Sequence, residues 1–144
     1  MAEPLRRFLR SLNEGGVEYA VVGAHAVAYH GYPRATRDLD ILYLQAEDNV
    51  RRLAACVAER VPGVSPEDLM GPADEFAILR FMGERVDLLP EIAGVSTPEA
   101  LRRAVPGVLF GEPTRFIAKQ DLIANKRSTG RDRDRVDADA IDDP

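Results

Sequence analysis

The chain has one cysteine, Cys56, and two histidines, His25 and His30, among its 144 residues. A single cysteine excludes an intramolecular disulfide and a cysteine-rich zinc site. Two histidines leave little material for a metal site built from imidazole ligands. No apolar run reaches the length of about eighteen residues that a membrane-spanning helix needs. We therefore expect a domain that folds on its hydrophobic core alone and does not enter a membrane.

The chain also has no excess of positive charge and no apolar segment at its beginning. Residues 1–7 lead into an amphipathic pattern that differs from the apolar core of a signal peptide, so we expect a cytoplasmic protein. The net charge of −5 disfavours a protein that coats long nucleic acid. Seventeen of the nineteen basic residues are arginine, which base composition of the gene can explain, although local clusters could still hold phosphates.

The apolar pattern predicts one α/β domain over residues 1–144, with a small mixed sheet flanked by helices. Apolar residues recur at helical spacing from Leu5 to Leu12, and Gly15-Gly16 ends that helix. Strands are predicted at 17–22, 38–44, 76–82, 85–89 and 114–117. Further helices are predicted at 24–30, 47–60, from Thr97 onward, 121–127 and 132–141. Residues 61–73 are expected to form a loop, and Gly83-Glu84 the centre of a type II′ hairpin turn.

Asp38 and Asp40 lie two positions apart on a predicted strand, so both carboxylates project from the same face. Two like charges on a buried strand are costly unless a cation lies between them. Mg²⁺ takes oxygen ligands and is usually held by one or two carboxylates together with substrate phosphates. By itself, the pair is weak evidence for a metal and favours two hydrated charges at the end of a strand.

Three further features favour a metal site over hydrated surface charge. Gly23 separates a buried strand from a short helix, where free backbone N–H groups can face an anion. Arg34 and Arg37 precede the aspartates in a loop, where they could balance phosphate charge. Asp87 interrupts the apolar strand 85–89, and a carboxylate there calls for a partner such as a metal ion. The set suggests a two-metal site for phosphoryl transfer.

The order of these residues resembles the signature of the nucleotidyltransferase superfamily. Val22-Gly23-Ala24 is followed after thirteen residues by Asp38-Leu39-Asp40-Ile41. Asp87, in Arg85-Val86-Asp87-Leu88-Leu89, matches the third carboxylate of that superfamily. Two stretches resemble its small bacterial members, which include relatives of abortive-infection toxins: Arg34-Ala35-Thr36-Arg37, and Asp121 to Arg127 followed by Gly130-Arg131, Asp134 and Asp137. The similarity extends from about Val17 to Ile141.

The resemblance implies the DNA-polymerase-beta-like fold and the transfer of an NMP from a nucleoside triphosphate to an acceptor hydroxyl, with release of pyrophosphate. Asp38, Asp40 and Asp87 would be catalytic and would hold two Mg²⁺ ions, or Mn²⁺ in their place. Asp87 would help to deprotonate the acceptor. The nucleotide would be bound by Gly23, Ala24, Arg37 and Lys126.

Two expectations about geometry follow for the carboxylates. The oxygens of Asp38, Asp40 and Asp87 should converge closely enough to share one divalent ion. Because clustered carboxylates repel one another, at least one should have a raised pKa without metal. Ala24 departs from the family pattern, since many members have Ser or a second Gly there. Its N–H remains available, but it offers no hydroxyl to the triphosphate.

The acceptor stays open between a protein hydroxyl, a tRNA end and a small hydroxylated molecule. The chain has little room for a substrate platform, so we expect a partner protein or a second subunit to complete the pocket, as in a toxin–antitoxin pair. The alternative from another class is a non-catalytic interaction module with the same fold. A metal-dependent phosphohydrolase is a third hypothesis for the function.

Several polar residues have competing interpretations. His25 could reach a phosphate or the acceptor, and it could equally pack or cap a helix. His30 is expected to be structural. Lys126 could neutralise the triphosphate or complement a helix dipole. Ion pairs that tie the last helix to the domain are expected for Arg131, Asp134 and Asp137.

Overall fold

Residues 2–142 of the computed structural model form seven α-helices and six strands. The strands are β1 (Tyr19–Val22), β2 (Asp38–Tyr43), β3 (Ala77–Phe81), β4 (Glu84–Leu89), β5 (Val105–Leu109) and β6 (Glu112–Phe116). The helices are α1 (Glu3–Glu14), α2 (Gly23–Tyr29), α3 (Glu47–Ala58), α4 (Pro66–Leu69), α5 (Thr97–Arg103), α6 (Lys119–Ser128) and α7 (Asp132–Asp142). A single 3-10 turn covers Ala73–Glu75.

The six strands form one mixed sheet in the order β3-β4-β2-β1-β6-β5. The centre pairs β1 with β2 antiparallel and β2 with β4 parallel. β6 runs parallel to β1, and the hairpins β3–β4 and β5–β6 form the two edges. The predicted α/β class, with a small mixed sheet flanked by helices, is confirmed.

Alternation along the central strands separates the core from the polar face of the sheet. In β2 and β4, Leu39, Ile41, Val86 and Leu88 are fully buried. They join the apolar side of α1, where Phe8 lies against Phe81 with ring centroids 5.9 Å apart. Among the intervening positions, Asp38, Asp40 and Asp87 carry carboxylates on the other face. Burying one face thus fixes the direction in which the acidic side chains point.

The hairpin between β3 and β4 differs from the predicted turn by one residue. Phe81 pairs with Glu84, so the two loop residues are Met82 and Gly83. Both have positive φ, 53° and 79°, which is typical of a type I′ turn and not of type II′. The predicted central pair Gly83-Glu84 was wrong because a methionine is a rare occupant of the first left-handed position.

Two further elements were not expected. The loop predicted over residues 61–73 contains α4, which begins at a capping box formed by Ser65 and Asp68. β5 was missed because Pro106 and Gly107 are unusual inside a strand. The edge position tolerates Pro106, and the rings of Phe116 and Tyr29 leave no room for a side chain at Gly107. Within residues 2–142, no helix combines the length and apolar character needed to cross a membrane.

Candidate functional site

The three predicted carboxylates lie on two adjacent strands at the centre of the sheet. Asp40 is directly beside Asp87 in the parallel pairing of β2 with β4, and Asp38 is beside Arg85. Side chains aligned in this way project from the same face of a sheet. The prediction that the carboxylates share one face is therefore confirmed.

Asp40 is the central carboxylate of this group. Burial raises its pKa to about 7, and the nearby charges of Asp87 and Asp38 add to the rise. Lys126 and Arg85 oppose the shift but do not cancel it. The expected raised pKa is therefore found, and it belongs to Asp40. An additional cation close to Asp40 would stabilise its ionised form and lower this pKa.

The carboxylate of Asp87 is held by an arginine two residues earlier on the same strand. Arg85 donates from Nε to Oδ1 at 2.8 Å and from Nη2 to Oδ2 at 3.2 Å. Within residues 2–142, no group of three or more His, Cys, Asp or Glu side chains lies close enough together to hold a metal ion. The expectation that three carboxylates converge to share an ion was wrong for this arrangement, because both Asp87 oxygens are hydrogen-bonded to Arg85.

Gly23 forms the tight turn between β1 and α2, and it touches Asp40. Its φ is +69°, and a β-carbon at this position would lie 2.0 Å from Oδ2 of Asp40. Val22, just before the turn, pairs with Asp40 in the register of β1 with β2. Only a residue without a side chain allows the central carboxylate to lie this close to the turn. Ala24 follows as a half-buried residue of α2.

The two histidines of the Gly23 to His30 segment have different environments. His30 Nε2 lies 2.7 Å from the carbonyl oxygen of Ile117, a structural contact that confirms the expectation for this residue. The His25 ring packs edge-on against Phe110, with centroids 5.3 Å apart. Its Nε2 atom is buried without a hydrogen-bond partner among residues 2–142. Burial lowers the pKa of His25, while Asp38 opposes that shift.

Lys126 connects the acidic centre to the C-terminal helix. Its Nζ atom lies 3.0 Å from Asp134 and 3.4 Å from Asp137, both on α7. Asp137 also pairs with Arg34 from the loop before β2. The predicted ion pairs that tie the last helix to the domain are therefore confirmed for Asp134 and Asp137. Arg131 instead makes a local pair with Asp134, three residues later, at 3.2 Å.

Arg37 lies beside the β3–β4 hairpin, where Nη2 donates to the carbonyl oxygen of Gly83 at 3.4 Å. In the sheet, β2 lies between β4 and β1, and β1 is followed directly by the Gly23 turn. Arg37 and the Gly23 turn therefore flank the carboxylates from opposite sides.

Sequence reasoning missed the ion pair between Arg85 and Asp87. The signal was present, because residues two apart on a strand share a face and opposite charges in that relation can pair. Arg80 was missed as well. It lies opposite Arg85 in the β3–β4 register, and this placement depends on the hairpin turn that was predicted one residue out of position.

The sequence matches no protein-family model and no curated protein. Among solved structures, the fold is similar to that of a Thermotoga maritima protein proposed to be a nucleotidyltransferase, with 17% identity, a TM-score of 0.59, and coverage of 81% of this chain and 76% of that chain. It is also similar to an antigenic nucleotidyltransferase-like protein from Paracoccidioides brasiliensis, with 17% identity, a TM-score of 0.53, and coverage of 96% and 72%. Similarity at this level identifies the fold. The predicted nucleotidyltransferase fold is therefore confirmed, and a relationship to abortive-infection toxins stays a prediction.

Proposed function

We propose that this protein is a metal-dependent nucleotidyltransferase that moves an NMP from a nucleoside triphosphate to an acceptor hydroxyl. The observation that carries the proposal is the pairing of Asp40 with Asp87 on neighbouring central strands, beside the glycine turn that ends β1. The structural neighbours named for nucleotidyl transfer have the same fold and support the same class of reaction.

The donor set fits a hard divalent cation such as Mg²⁺, which takes carboxylate and phosphate oxygens. Asp38 and Asp40, which project from one face of β2, would hold it. One fact supports this fit: burial and neighbouring negative charge raise the pKa of Asp40 to about 7, and a bound cation would relieve that repulsion. Asp87, beside Asp40 in the register and hydrogen-bonded to Arg85, would serve the acceptor and not the metal. When bound, Mg²⁺ would neutralise the phosphate charge that grows during transfer.

The reaction needs positioning and charge balance more than covalent help from the protein. The acceptor oxygen attacks the α-phosphorus, the bond from that phosphorus to the β-phosphate oxygen breaks, and pyrophosphate leaves. The hydroxyl proton passes to the carboxylate of Asp87. The N–H of Ala24, next to the Gly23 turn, would be available to the triphosphate.

Lys126 would supply positive charge on the nucleotide side of the carboxylates. Its charge opposes the rise in the pKa of Asp40, so Lys126 is close enough to act on the site. Its ammonium is held by Asp134 and Asp137. These contacts would fix its position while leaving one or more of its three donors for a phosphate oxygen.

A non-catalytic interaction module is the second candidate. The observation that favours it is the bidentate hold of Arg85 on Asp87, which satisfies that carboxylate without a metal. In a module of this kind the acidic residues would be remnants that stabilise β4.

Calorimetric titration with Mg²⁺ and ATP tests the site directly. Wild-type protein should bind Mg²⁺·ATP, and the double variant Asp38→Ala/Asp40→Ala should not. Asp132→Ala/Asp139→Ala removes the same number of carboxylates from exposed positions of α7 and should bind as wild type does. Equal binding by the two double variants would reject the assignment.

Incubation with labelled nucleoside triphosphates and a cell extract separates the two candidates. An enzyme transfers label to an acceptor and releases pyrophosphate. A non-catalytic module yields no labelled product even where it binds nucleotide. A phosphohydrolase would release NMP or phosphate without an acceptor.

A further inference from the structure

A groove of about 480 Å³ adjoins the carboxylates on the side away from the Gly23 turn. Its lining includes three arginines, Arg37, Arg80 and Arg85, and two carboxylates, Asp38 and Glu84. The chain as a whole is acidic, with a net charge of −5, so this concentration of guanidinium groups is a local feature.

The arginines of the groove outnumber its carboxylates, and neither Asp38 nor Glu84 forms an ion pair with them in residues 2–142. Arg80 lies directly opposite Arg85 in the β3–β4 register, and like charges in that relation destabilise a sheet. The ion pairs of residues 2–142 include Arg85 with Asp87, but they include neither Arg37 nor Arg80. Both of these side chains are exposed. Arg37 and Arg80, which make no ion pair within residues 2–142, thus lie near Arg85, which is paired with Asp87.

Planar guanidinium groups bind phosphate oxygens through paired hydrogen bonds, so phosphate is the anion that this set would take. The groove and the Gly23 turn approach the carboxylates from opposite sides, so a phosphate in the groove is distinct from those of the nucleoside triphosphate. Met82, 82% exposed at the tip of the hairpin, adds an apolar surface at the edge of the groove. An apolar edge suits a phosphate ester of an organic molecule better than free phosphate.

We infer that this arginine groove, formed by Arg37, Arg80 and Arg85, is the acceptor site, and that the acceptor is a hydroxyl compound carrying a phosphate ester. Arg37 would then serve the acceptor and not, as the sequence resemblance implies, the nucleotide. This inference rests on the proposed nucleotidyl transfer for the role of the bound molecule. The binding of a phosphate ester by the groove can be measured without any transfer.

Nuclear magnetic resonance titration can locate the ester. The probe is ribose 5-phosphate, compared with ribose and with inorganic phosphate, in protein saturated with Mg²⁺ and an ATP analogue that cannot be cleaved between the α and β phosphates. Ribose 5-phosphate should shift the side-chain Nε–H signals of Arg80 and Arg37. The signal of Arg52, an exposed arginine of α3, should not move.

The matched variants are Arg80→Gln and Arg52→Gln, both at exposed positions where folding should be retained, as thermal melting would verify. Arg80→Gln should weaken ribose 5-phosphate binding at least about tenfold, the low end for a hydrogen bond between charged groups. Arg52→Gln should leave it unchanged.

Three outcomes would overturn the inference: equal weakening in the two variants, equal affinity for ribose 5-phosphate and inorganic phosphate, or displacement of ribose 5-phosphate by the ATP analogue. Failure of the ATP analogue itself to bind would instead reject the proposed function. The titration of the nucleotide-free protein would then still report whether the groove binds the ester.

Discussion

Oδ2 of Asp40 lies 2.0 Å from the point that a β-carbon on Gly23 would occupy. The turn that ends β1 and the central carboxylate of β2 are therefore in direct contact. A methyl group at residue 23 would have to displace the carboxylate or the turn, and both belong to the proposed site.

Gly23→Ala should reduce stability and abolish binding of Mg²⁺·ATP. Gly16→Ala is the matched control, because Gly16 has the same φ of +69° but nothing within 4 Å of the point where its methyl group would lie. Alanine at a positive φ costs more than about 1 kcal/mol, and this backbone cost is common to both variants. Urea denaturation and calorimetry should show a larger loss of stability in Gly23→Ala and loss of binding in that variant alone. Equal stability and intact binding in both would contradict the contact.

Asp87→Asn should separate catalysis from nucleotide binding. If Asp87 accepts the proton of the acceptor, its role is greatest in the transition state. We expect kcat to fall by at least about a hundredfold, the low end for general-base catalysis. Nucleotide affinity should change far less, since Asp38, Asp40 and the Gly23 turn remain. Retention of most transfer activity would leave Asp87 as a structural partner of Arg85.

Asp40 should make the stability of the protein depend on pH. Its folded pKa of about 7 lies above the ordinary value of 3.8, so the folded protein retains a proton that the unfolded chain releases between these values. The contribution of protonated Asp40 to the free energy of unfolding is therefore fully present below about pH 4, and it is lost as the pH rises through about 7.

Asp40→Asn removes this titration. The stability of the variant relative to wild type should rise between about pH 4 and about pH 8, as measured by urea denaturation at several pH values. Saturating Mg²⁺ should reduce the difference, because a bound cation favours the ionised carboxylate. Parallel stability curves for the two proteins would exclude a raised pKa at Asp40.

Asp137→Asn should destabilise the protein strongly. The Asp137 side chain is 2% exposed and pairs with both Arg34 and Lys126, so its loss leaves two partly buried cations without this partner. Breaking a buried pair in this way costs about 3 kcal/mol or more. Asp139→Asn, on the same helix at 76% exposure, breaks a surface pair with Arg127 and should cost less than about 1 kcal/mol. Comparable unfolding midpoints for the two variants would contradict the burial argument.

The centre of the sheet was predictable because local pattern and tertiary structure agree there. In β2, the alternation of Asp38 and Asp40 with Leu39 and Ile41 defines a strand with one buried face. The same alternation in β4 puts Asp87 on the polar face. The alternation of apolar and acidic residues therefore predicted which side chains share a face of the sheet, although it did not predict which strands are neighbours.

The edges of the sheet and the details of the site depend on contacts that local pattern does not encode. Pro106 in β5 is acceptable because β5 has a free edge, and Gly107 because a β-carbon there would lie 2.8 Å from the rings of Phe116 and Tyr29. The position of Met82 in a left-handed turn is set by the pairing of Phe81 with Glu84. The packing of α6 against α7 puts Lys126 in contact with Asp134 and Asp137. The sequence alone left its role open between the triphosphate and a helix dipole, and it did not predict these ion pairs.

The parallel pairing of β6 with β1, at Phe116 and Val21, has a consequence for folding during synthesis. N-terminal segments leave the ribosome first and can begin to fold first. β1 gains its second neighbouring strand only when Phe116 has been synthesised, after β2 to β5. We therefore expect the six-stranded sheet to close late in synthesis, after all of its other strands have been made.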